Sequence, residues 1–136
     1  MQWDDSENAG FSTGEPWIGV NPNYKEINAK AQQQDSESVF SYYKKLISLR
    51  KEHDIIVYGD YRLLMEESPS VFAYMRTLGE QKLLVLCNFT KEEQTLDIPS
   101  EAGCTEGEVL ISNYGREEAE DIRALRPYEA VAIWQK

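Results

Sequence analysis

The chain has 136 residues, of which 41% are hydrophobic and 11% aromatic, so it carries enough apolar side chain for a packed core. Its formal net charge is −10, from 24 acidic and 14 basic residues, and such a surface repels phosphate groups. Composition therefore argues against nucleic acid and against an anionic membrane as partners. The longest apolar run, residues 83–87, is far shorter than the ~20 residues that span a bilayer.

Residues 1–34 have neither a helical nor a strand period, and glycine and proline interrupt them throughout. We therefore predict a long irregular loop here. Loops of this length inside a compact domain are usually lids, binding loops or pieces that have lost a partner. No basic stretch followed by an apolar stretch stands at the start, so no secretory signal is predicted.

Residues 36–53 are predicted to form one long amphipathic helix. Ser36 and Ser38 suit its first turn, and Arg50 and Lys51 suit the negative end of its dipole. The apolar positions at helical spacing are Val39, Phe40, Tyr43, Leu46, Ile47 and Leu49. Because nothing in the remaining sequence pairs with this apolar face by pattern, we expect it either to fold onto the following module or to form a dimer.

From residue 55 onward the pattern changes to short β-branched and aromatic runs separated by turn residues. The predicted strands are residues 55–58, 61–65, 71–77, 83–89, 94–98, 108–111 and 130–134. Runs at this spacing favour an antiparallel Greek-key β-sandwich, in which the run apolar on both faces, 83–89, is a central strand and Trp134 is a core residue. The predicted organisation is thus mainly β: a loop and helix over residues 1–54, then a sandwich over residues 55–136.

Few residue patterns in the chain carry chemistry. Adjacent acids such as Glu66 and Glu67 share one solvated environment, whereas a glycosidase needs two carboxyls in different environments, roughly 5–10 Å apart. The single histidine, His53, fits a partner of the helix C-terminus. Cys87 and Cys104 match no zinc spacing and permit a disulfide without indicating one, which fits a reducing, cytoplasmic compartment. We predict no catalytic centre, metal site or cofactor in this chain.

The aromatic residues of the first segment are more informative, because no local period explains Trp3 or Trp17. Sugars stack their C–H faces on aromatic rings and form hydrogen bonds with amide and carboxylate groups. Gln2, Trp3 and Asp4 provide that mixture and are the candidate sugar-binding residues. In the alternative interpretation, both tryptophans only anchor the loop to a protein surface.

Several motifs are specific enough to indicate a family. The first segment contains MQWD at residues 1–4, NAGF at 8–11 and VNPNY at 20–24. These resemble the segment after the last catalytic strand in oligo-1,6-glucosidases of the α-amylase family. The helix resembles the last helix of that family's TIM barrel, and the motifs around residues 71–74, 83–89 and 125–130 resemble its C-terminal β-sandwich.

The resemblance implies that the chain is part of a retaining α-glucosidase that acts on α-linked gluco-oligosaccharides. Its catalytic Asp nucleophile, Glu acid/base and second Asp would lie on barrel strands before Met1, so we expect the chain to begin inside its parent and to be inactive alone. Active sites of TIM barrels are built from loops at the C-terminal ends of the strands. Gln2, Trp3 and Asp4 would therefore flank the pocket on its aglycone side, with the parent's own barrel as the chain's partner.

Two other interpretations remain open from the sequence. Trehalose-6-phosphate hydrolases and dextran glucosidases share this type of C-terminal part, and their selectivity lies mostly in upstream loops. The sandwich could instead be a non-catalytic sugar-binding module, although such modules usually expose a planar row of aromatic residues, whereas the strand aromatics here fit burial.

Overall fold

The computed structural model describes residues 1–98, 107–119 and 122–136. It divides into two compact units, unit 1 over Met1–Ile47 and unit 2 over Ser48–Lys136. The sequence predicts a division after residue 54, which stays a prediction. Cys104 lies outside the described residues. In the described part of the chain, no helix is long and apolar enough to cross a membrane.

Unit 1 contains two short 3₁₀ turns, Glu7–Gly10 and Pro22–Lys25, followed by helix α1, Ala29–Gln34. The prediction of a wholly irregular segment is wrong for α1. Asn28 begins this helix by accepting a hydrogen bond from the Ala31 amide at 2.9 Å, so one capping side chain organises a segment without an apolar period.

The long helix α2 spans Val39–Glu52, which confirms the predicted helix with a start three residues later than Ser36. Ser38 precedes it, and its hydroxyl oxygen lies 2.6 and 2.8 Å from the carbonyl oxygens of Gln32 and Asp35, which share its one hydrogen. Most of the apolar face of α2 is exposed; its exposed members are Val39, Phe40, Tyr43, Leu46 and Ile47.

Unit 2 begins with the end of α2 and a single helical turn, α3, over Ile55–Tyr58. The sequence predicts a strand here, and that prediction is wrong. The Tyr58 and Gly59 amides donate to the carbonyls of Asp54 and Ile55 at 2.8 and 3.1 Å, and Ile55 is fully buried. Four β-branched or aromatic residues are too few to distinguish a strand from a buried helical turn, and packing of Ile55 decides the outcome.

The remainder of unit 2 is antiparallel β-structure, as predicted. The strands are β1 Asp60–Leu64, β2 Val71–Leu78, β3 Gln81–Asn88, β4 Gln94–Thr95, β5 Glu108–Ser112, β6 Ala124–Leu125 and β7 Ala130–Gln135. A five-stranded sheet has the order β1-β2-β3-β7-β5, and β4 pairs with β6 in a second sheet. β3 is the central strand, as expected from its apolar character on both faces. The two-residue strand β6 is missing from the predicted set, because so short a pair has no period to detect.

Apolar residues pack on both sides of the larger sheet. The main core lies between the two sheets and includes Leu86, Leu125 and Val131, which are all buried. A second cluster lies on the opposite face, where Ile55 packs with Leu83 and Leu110. We call that face, which points away from the second sheet, the outer face.

Trp134 contributes to the outer-face cluster and is half-buried rather than enclosed. His53 meets its ring edge-on at 4.9 Å between centroids. The histidine thus has a specific aromatic partner besides its place next to the end of α2.

One ion pair is enclosed in unit 2. The Glu129 side chain is fully buried, and its Oε1 accepts from Nε and Nη2 of Arg116 at 3.0 and 2.8 Å. Its Oε2 accepts from the Arg126 amide at 2.8 Å. These bonds join the loop after β5 to the turn before β7 and satisfy both carboxylate oxygens.

Candidate functional site

The first residues of unit 1 fold into a tight turn. The amides of Trp3 and Asp4 both approach the carbonyl oxygen of Ala9, at 2.9 and 3.3 Å. Asn8, Ala9 and Gly10 all have left-handed backbone conformations, with φ of 54°, 58° and 66°. A Cβ atom on Gly10 would meet Oδ1 of Asp4 at 2.7 Å, so glycine lets the carboxylate approach the backbone.

Asp4 stabilises this turn through its carboxylate. Its Oδ1 accepts hydrogen bonds from the Ser6 hydroxyl at 2.5 Å and the Ser6 amide at 2.9 Å. The hydroxyl bond first, and the amide bond second, lower the pKa of Asp4 below its ordinary value of 3.8. Asp4 is therefore a carboxylate at neutral pH, with Oδ1 engaged within the loop.

Gln2 links the same turn to the start of α1. Its Nε2 donates to Oδ1 of Asn23 at 3.1 Å and to the carbonyl oxygen of Ile27 at 2.5 Å. The carbonyl of Gln2 also accepts from the Ala29 amide at 2.9 Å. Both amide hydrogens of Gln2 have partners inside the protein, so its donors support the loop.

Trp3 is the most exposed of the three residues, with 52% of its surface accessible to solvent. The structure thus brings Gln2, Trp3 and Asp4 together in one turn that hydrogen bonds stabilise and in which Trp3 is exposed to solvent. Their role in binding sugar stays a prediction. Trp17 is 94% exposed and has no packing partner within unit 1 that would make it an anchor there.

A groove of about 740 Å³ lies within unit 1. Its lining includes Gln2, but neither Trp3 nor Asp4. The walls are mainly apolar and are formed by Met1, Phe11, Pro16, Ile18, Val20, Ile27, Val39 and Phe40, among others. An apolar groove of this composition suits an apolar protein surface better than a hydroxyl-rich sugar.

The sequence did not identify this groove, because its walls come from a segment with no regular spacing. The available signal was the presence of large apolar residues such as Phe11, Ile18 and Ile27 in a stretch that has no core of its own. Such residues could have indicated an exposed apolar surface in this stretch.

The buried polar side chains of the described residues are those of Asn28, Ser38, Asn88 and Glu129. Glu129 is the carboxylate among them, and Arg116 holds it in an ion pair. Within the three described ranges, no three side chains of the metal-ligating types lie close enough together to hold an ion.

Two family models match the chain in succession. Residues 1–59 match the α-amylase catalytic domain, and residues 71–132 match the C-terminal domain of the α-amylase SusG. The first match includes all of unit 1, α2 and α3, and the second covers most of the β-structure.

Whole-chain comparisons agree with these matches. An oligo-1,6-glucosidase from Bacillus cereus is 57% identical over 135 residues, which are 98% of this chain and 24% of the relative. The crystal structure of Bacillus licheniformis trehalose-6-phosphate hydrolase superposes with a TM-score of 0.90 at 42% identity, over 98% of this chain and 24% of that one. A trehalulose synthase from Pseudomonas mesoacidophila gives 0.87 at 37% identity, over 99% and 24%.

The chain spans about a quarter of the length of the relatives it matches. The motifs, the fold and these matches all lead to one family assignment. This chain belongs to the α-amylase family, glycoside hydrolase family 13.

Proposed function

We propose that the chain is the C-terminal part of a retaining α-glucosidase of the oligo-1,6-glucosidase type, which acts on α-linked gluco-oligosaccharides. The observation that carries the proposal is the 57% identity with the Bacillus cereus oligo-1,6-glucosidase over 98% of this chain. The chain's contribution is structural: unit 1 completes the catalytic barrel and the β-structure stabilises it. The catalytic acids belong to the remaining three-quarters of such an enzyme.

The surface of unit 1 supports this role. Large apolar side chains such as Phe11, Ile18 and Ile27 are each more than half exposed around the 740 Å³ groove. Burial of apolar area contributes roughly 25 cal/mol per Å², so this surface is better covered than solvated. The partner that we propose for it is the rest of the parent's own barrel.

Gln2, Trp3 and Asp4 keep the role proposed from the sequence, on the aglycone side of the parent's pocket. We propose that the Trp3 side chain makes the contact and that Gln2 and Asp4 are positioning residues, because their hydrogen bonds hold the turn. The α-glucoside is thus a ligand of the whole parent. We place the parent in the cytoplasm, since the two cysteines form no disulfide pattern in the sequence.

The test of the main proposal replaces the matching quarter of the Bacillus cereus enzyme with this chain. We expect the chimera to cleave isomaltose, whereas the chain alone releases no p-nitrophenol from p-nitrophenyl α-glucoside. Turnover by the pure chain, or an inactive and unfolded chimera, would contradict the proposal.

Trehalose-6-phosphate hydrolase is the second candidate for the parent, because its Bacillus licheniformis structure superposes with a TM-score of 0.90. The same graft made into a trehalose-6-phosphate hydrolase separates the two candidates. We expect the graft to retain a larger fraction of activity in the oligo-1,6-glucosidase than in the hydrolase. The opposite order would favour the second candidate.

For the isolated chain, we propose self-association through the exposed face of α2. Tyr43 and Ile47 on that face are 62% and 54% exposed, which is unfavourable for a solvated monomer. Analytical ultracentrifugation should therefore detect a dimer that the variant Tyr43→Ser/Ile47→Ser converts to monomer. The exposed substitution Lys51→Ser, on the same helix, is the control. A wild-type chain that stays monomeric at high concentration contradicts this proposal.

A further inference from the structure

Three successive residues in the turn beside Trp3 have left-handed backbone conformations. Asn8, Ala9 and Gly10 have φ of 54°, 58° and 66°, and this conformation costs free energy in residues that carry a side chain. Ala9 is also fully buried. Residues in such conformations persist only where the surrounding structure fixes them, and they cluster at functional sites. The backbone of this turn therefore indicates a role for which its exact shape matters.

Hydrogen bonds connect this turn to the backbone of Trp3. The carbonyl oxygen of Ala9 accepts from the Trp3 amide at 2.9 Å, and the carbonyl oxygen of Trp3 accepts from the Lys30 amide at 2.9 Å. The Asn8 side chain extends the turn, since its Nδ2 donates to the carbonyl oxygen of Gly14 at 3.2 Å. The backbone of Trp3 is thus held on one side by the turn and on the other by α1, while the residue itself is 52% exposed.

Gly10 completes the turn because its missing side chain leaves room for Asp4. A Cβ atom at residue 10 would lie 2.7 Å from Oδ1, 3.0 Å from Cγ and 3.1 Å from Oδ2 of Asp4. The same Oδ1 accepts the two hydrogen bonds from Ser6, at 2.9 Å from its amide and 2.5 Å from its hydroxyl. A methyl group on residue 10 would therefore displace the carboxylate from Ser6 and shift the residue that follows Trp3.

We propose that Gly10 is a positioning residue for the aglycone sugar: it lets the Asp4 carboxylate complete the turn and so fixes the Trp3 side chain against that sugar. This inference rests on the proposed function, which gives Trp3 the contact on the aglycone side. It adds a residue that determines the affinity for the aglycone without touching it. A contact held in place before the ligand arrives loses less conformational entropy on binding, so a loosened turn weakens binding of that sugar.

Substrates with different leaving groups separate this role from general damage to the fold. Isomaltose has a glucose unit on the aglycone side, whereas α-glucosyl fluoride has only a fluorine atom there. Loss of the aglycone contact raises KM for isomaltose, because that contact contributes to substrate binding, and leaves both kcat and KM for the fluoride unchanged. Damage to the fold would alter the kinetics of both substrates.

The experiment uses the Bacillus cereus chimera that contains this chain, with Gly10→Ala as the test and Gly14→Ala as the matched control. Gly14 lies in the same loop outside the left-handed region, and a Cβ atom there would lie 3.9 Å from Oγ of Ser12, an ordinary contact. We expect Gly10→Ala to raise KM for isomaltose about tenfold with kcat unchanged. Gly14→Ala should leave KM unchanged, and neither variant should alter hydrolysis of the fluoride. Trp3→Ala, which removes the ring, should raise KM for isomaltose at least as much as Gly10→Ala.

A double variant tests the contact between Gly10 and Asp4. Asp4→Ala alone loosens the turn without a change at residue 10, so it should also raise KM for isomaltose and leave the fluoride unaffected. In Asp4→Ala/Gly10→Ala the added methyl group no longer meets a carboxylate. We therefore expect the double variant to have the KM of Asp4→Ala alone. A KM equal to the product of the two single effects would show that Gly10 acts independently of Asp4 and would overturn the positioning role.

The remaining outcomes separate the positioning role from the proposed function. If Trp3→Ala raises KM for isomaltose and Gly10→Ala matches Gly14→Ala, the positioning role alone is overturned. Equal losses on isomaltose and on the fluoride also overturn it, because they show that Gly10 is needed only for folding. If Trp3→Ala leaves KM unchanged, the aglycone contact of Trp3 is wrong, and the role of Gly10 with it. A chimera that cleaves neither substrate overturns the proposed function.

Discussion

Units 1 and 2 differ in where their apolar side chains lie. In unit 1, every residue of which is described, Ala9 is the one buried apolar residue, while large side chains such as Phe11 and Ile18 face outward. Unit 2 buries two apolar clusters, one around Leu86 and one around Ile55. The two units therefore obtain their order from different interactions.

Unit 1 is organised mainly by polar contacts. Gln2, Asn28 and Ser38 each take part in two or more hydrogen bonds; those of Gln2 reach residues 21 and 25 positions away, and those of Asn28 and Ser38 are local. A hydrogen bond contributes only about 1 kcal/mol net, because the unfolded chain bonds to water instead. The difference between the units teaches that a polar network can define a conformation in a segment that buries little apolar surface of its own.

The largest expected effect tests whether unit 2 has a core of its own. Leu86→Ala removes a fully buried side chain between the two sheets and should lower the free energy of unfolding by roughly 3–5 kcal/mol. Urea denaturation followed by circular dichroism measures this loss. Ile18→Ala, at a 64% exposed position in unit 1, should cost less than about 0.5 kcal/mol. If both substitutions lowered the free energy of unfolding equally, the conclusion that only unit 2 depends on a buried apolar core would be wrong.

The next effect concerns the buried ion pair of unit 2. Glu129→Ala leaves the Arg116 guanidinium without its carboxylate partner and should destabilise unit 2 by roughly 3 kcal/mol. The same denaturation experiment applies, with Glu80→Ala in an exposed turn as the matched control. A loss no larger than that of the control would mean that the pair adds nothing to stability.

A smaller effect is expected for the cap that organises unit 1. Asn28→Ala removes the acceptor for the Ala31 amide and should weaken α1 by about 1 kcal/mol, or roughly fivefold in local opening. Amide hydrogen exchange at Ala31 and Gln32 reports that opening. Gln33→Ala, at an exposed position of the same helix, should leave it unchanged. Unchanged exchange in Asn28→Ala would show that α1 does not depend on its cap.

The smallest effect is the pH dependence of the turn around Asp4. Hydrogen bonds from Ser6 lower the pKa of Asp4 in the folded turn below 3.8. The ionised carboxylate therefore stabilises the turn above pH 3.8, and this stabilisation is lost as the pH falls through the lowered pKa. Carboxyl ¹³C NMR should give a midpoint below 3.8 that moves upward in Ser6→Ala. Ser12→Ala, which removes a different hydroxyl of the loop, is the control. A titration midpoint of Asp4 at or above 3.8 in the wild type would contradict the hydrogen bonds from Ser6 to its carboxylate.

Regular elements of the chain could be predicted from periodicity. The helix α2 and the long strands β2 and β3 have enough residues for their apolar pattern to be read, and the two-sided apolar character of β3 indicates its central place. Ile55–Tyr58 and β6 were missed because two to four residues carry no period. Their structure is decided by packing across the sheet.

The candidate site was predictable only in part. The sequence predicted Gln2, Trp3 and Asp4 as sugar-binding residues, a role that stays a prediction. The structure gives their contacts: hydrogen bonds hold the side chains of Gln2 and Asp4, and Trp3 is exposed. The strand aromatics Tyr61 and Phe72 were expected to be buried and are not. Alternation along a strand indicates which residues share a face, but not whether another element covers that face.

The hydrogen bonds of Arg76 bear on where the chain can be divided. These three hydrogen bonds tie β2 to the carbonyls of residues 55–59, although these residues and β2 match different family models. Expression that started at residue 60 would uncover Leu83 and strip the guanidinium of all three acceptors. The β-structure is therefore best separated from the residues before it at a point upstream of α3, although the first family model extends to residue 59.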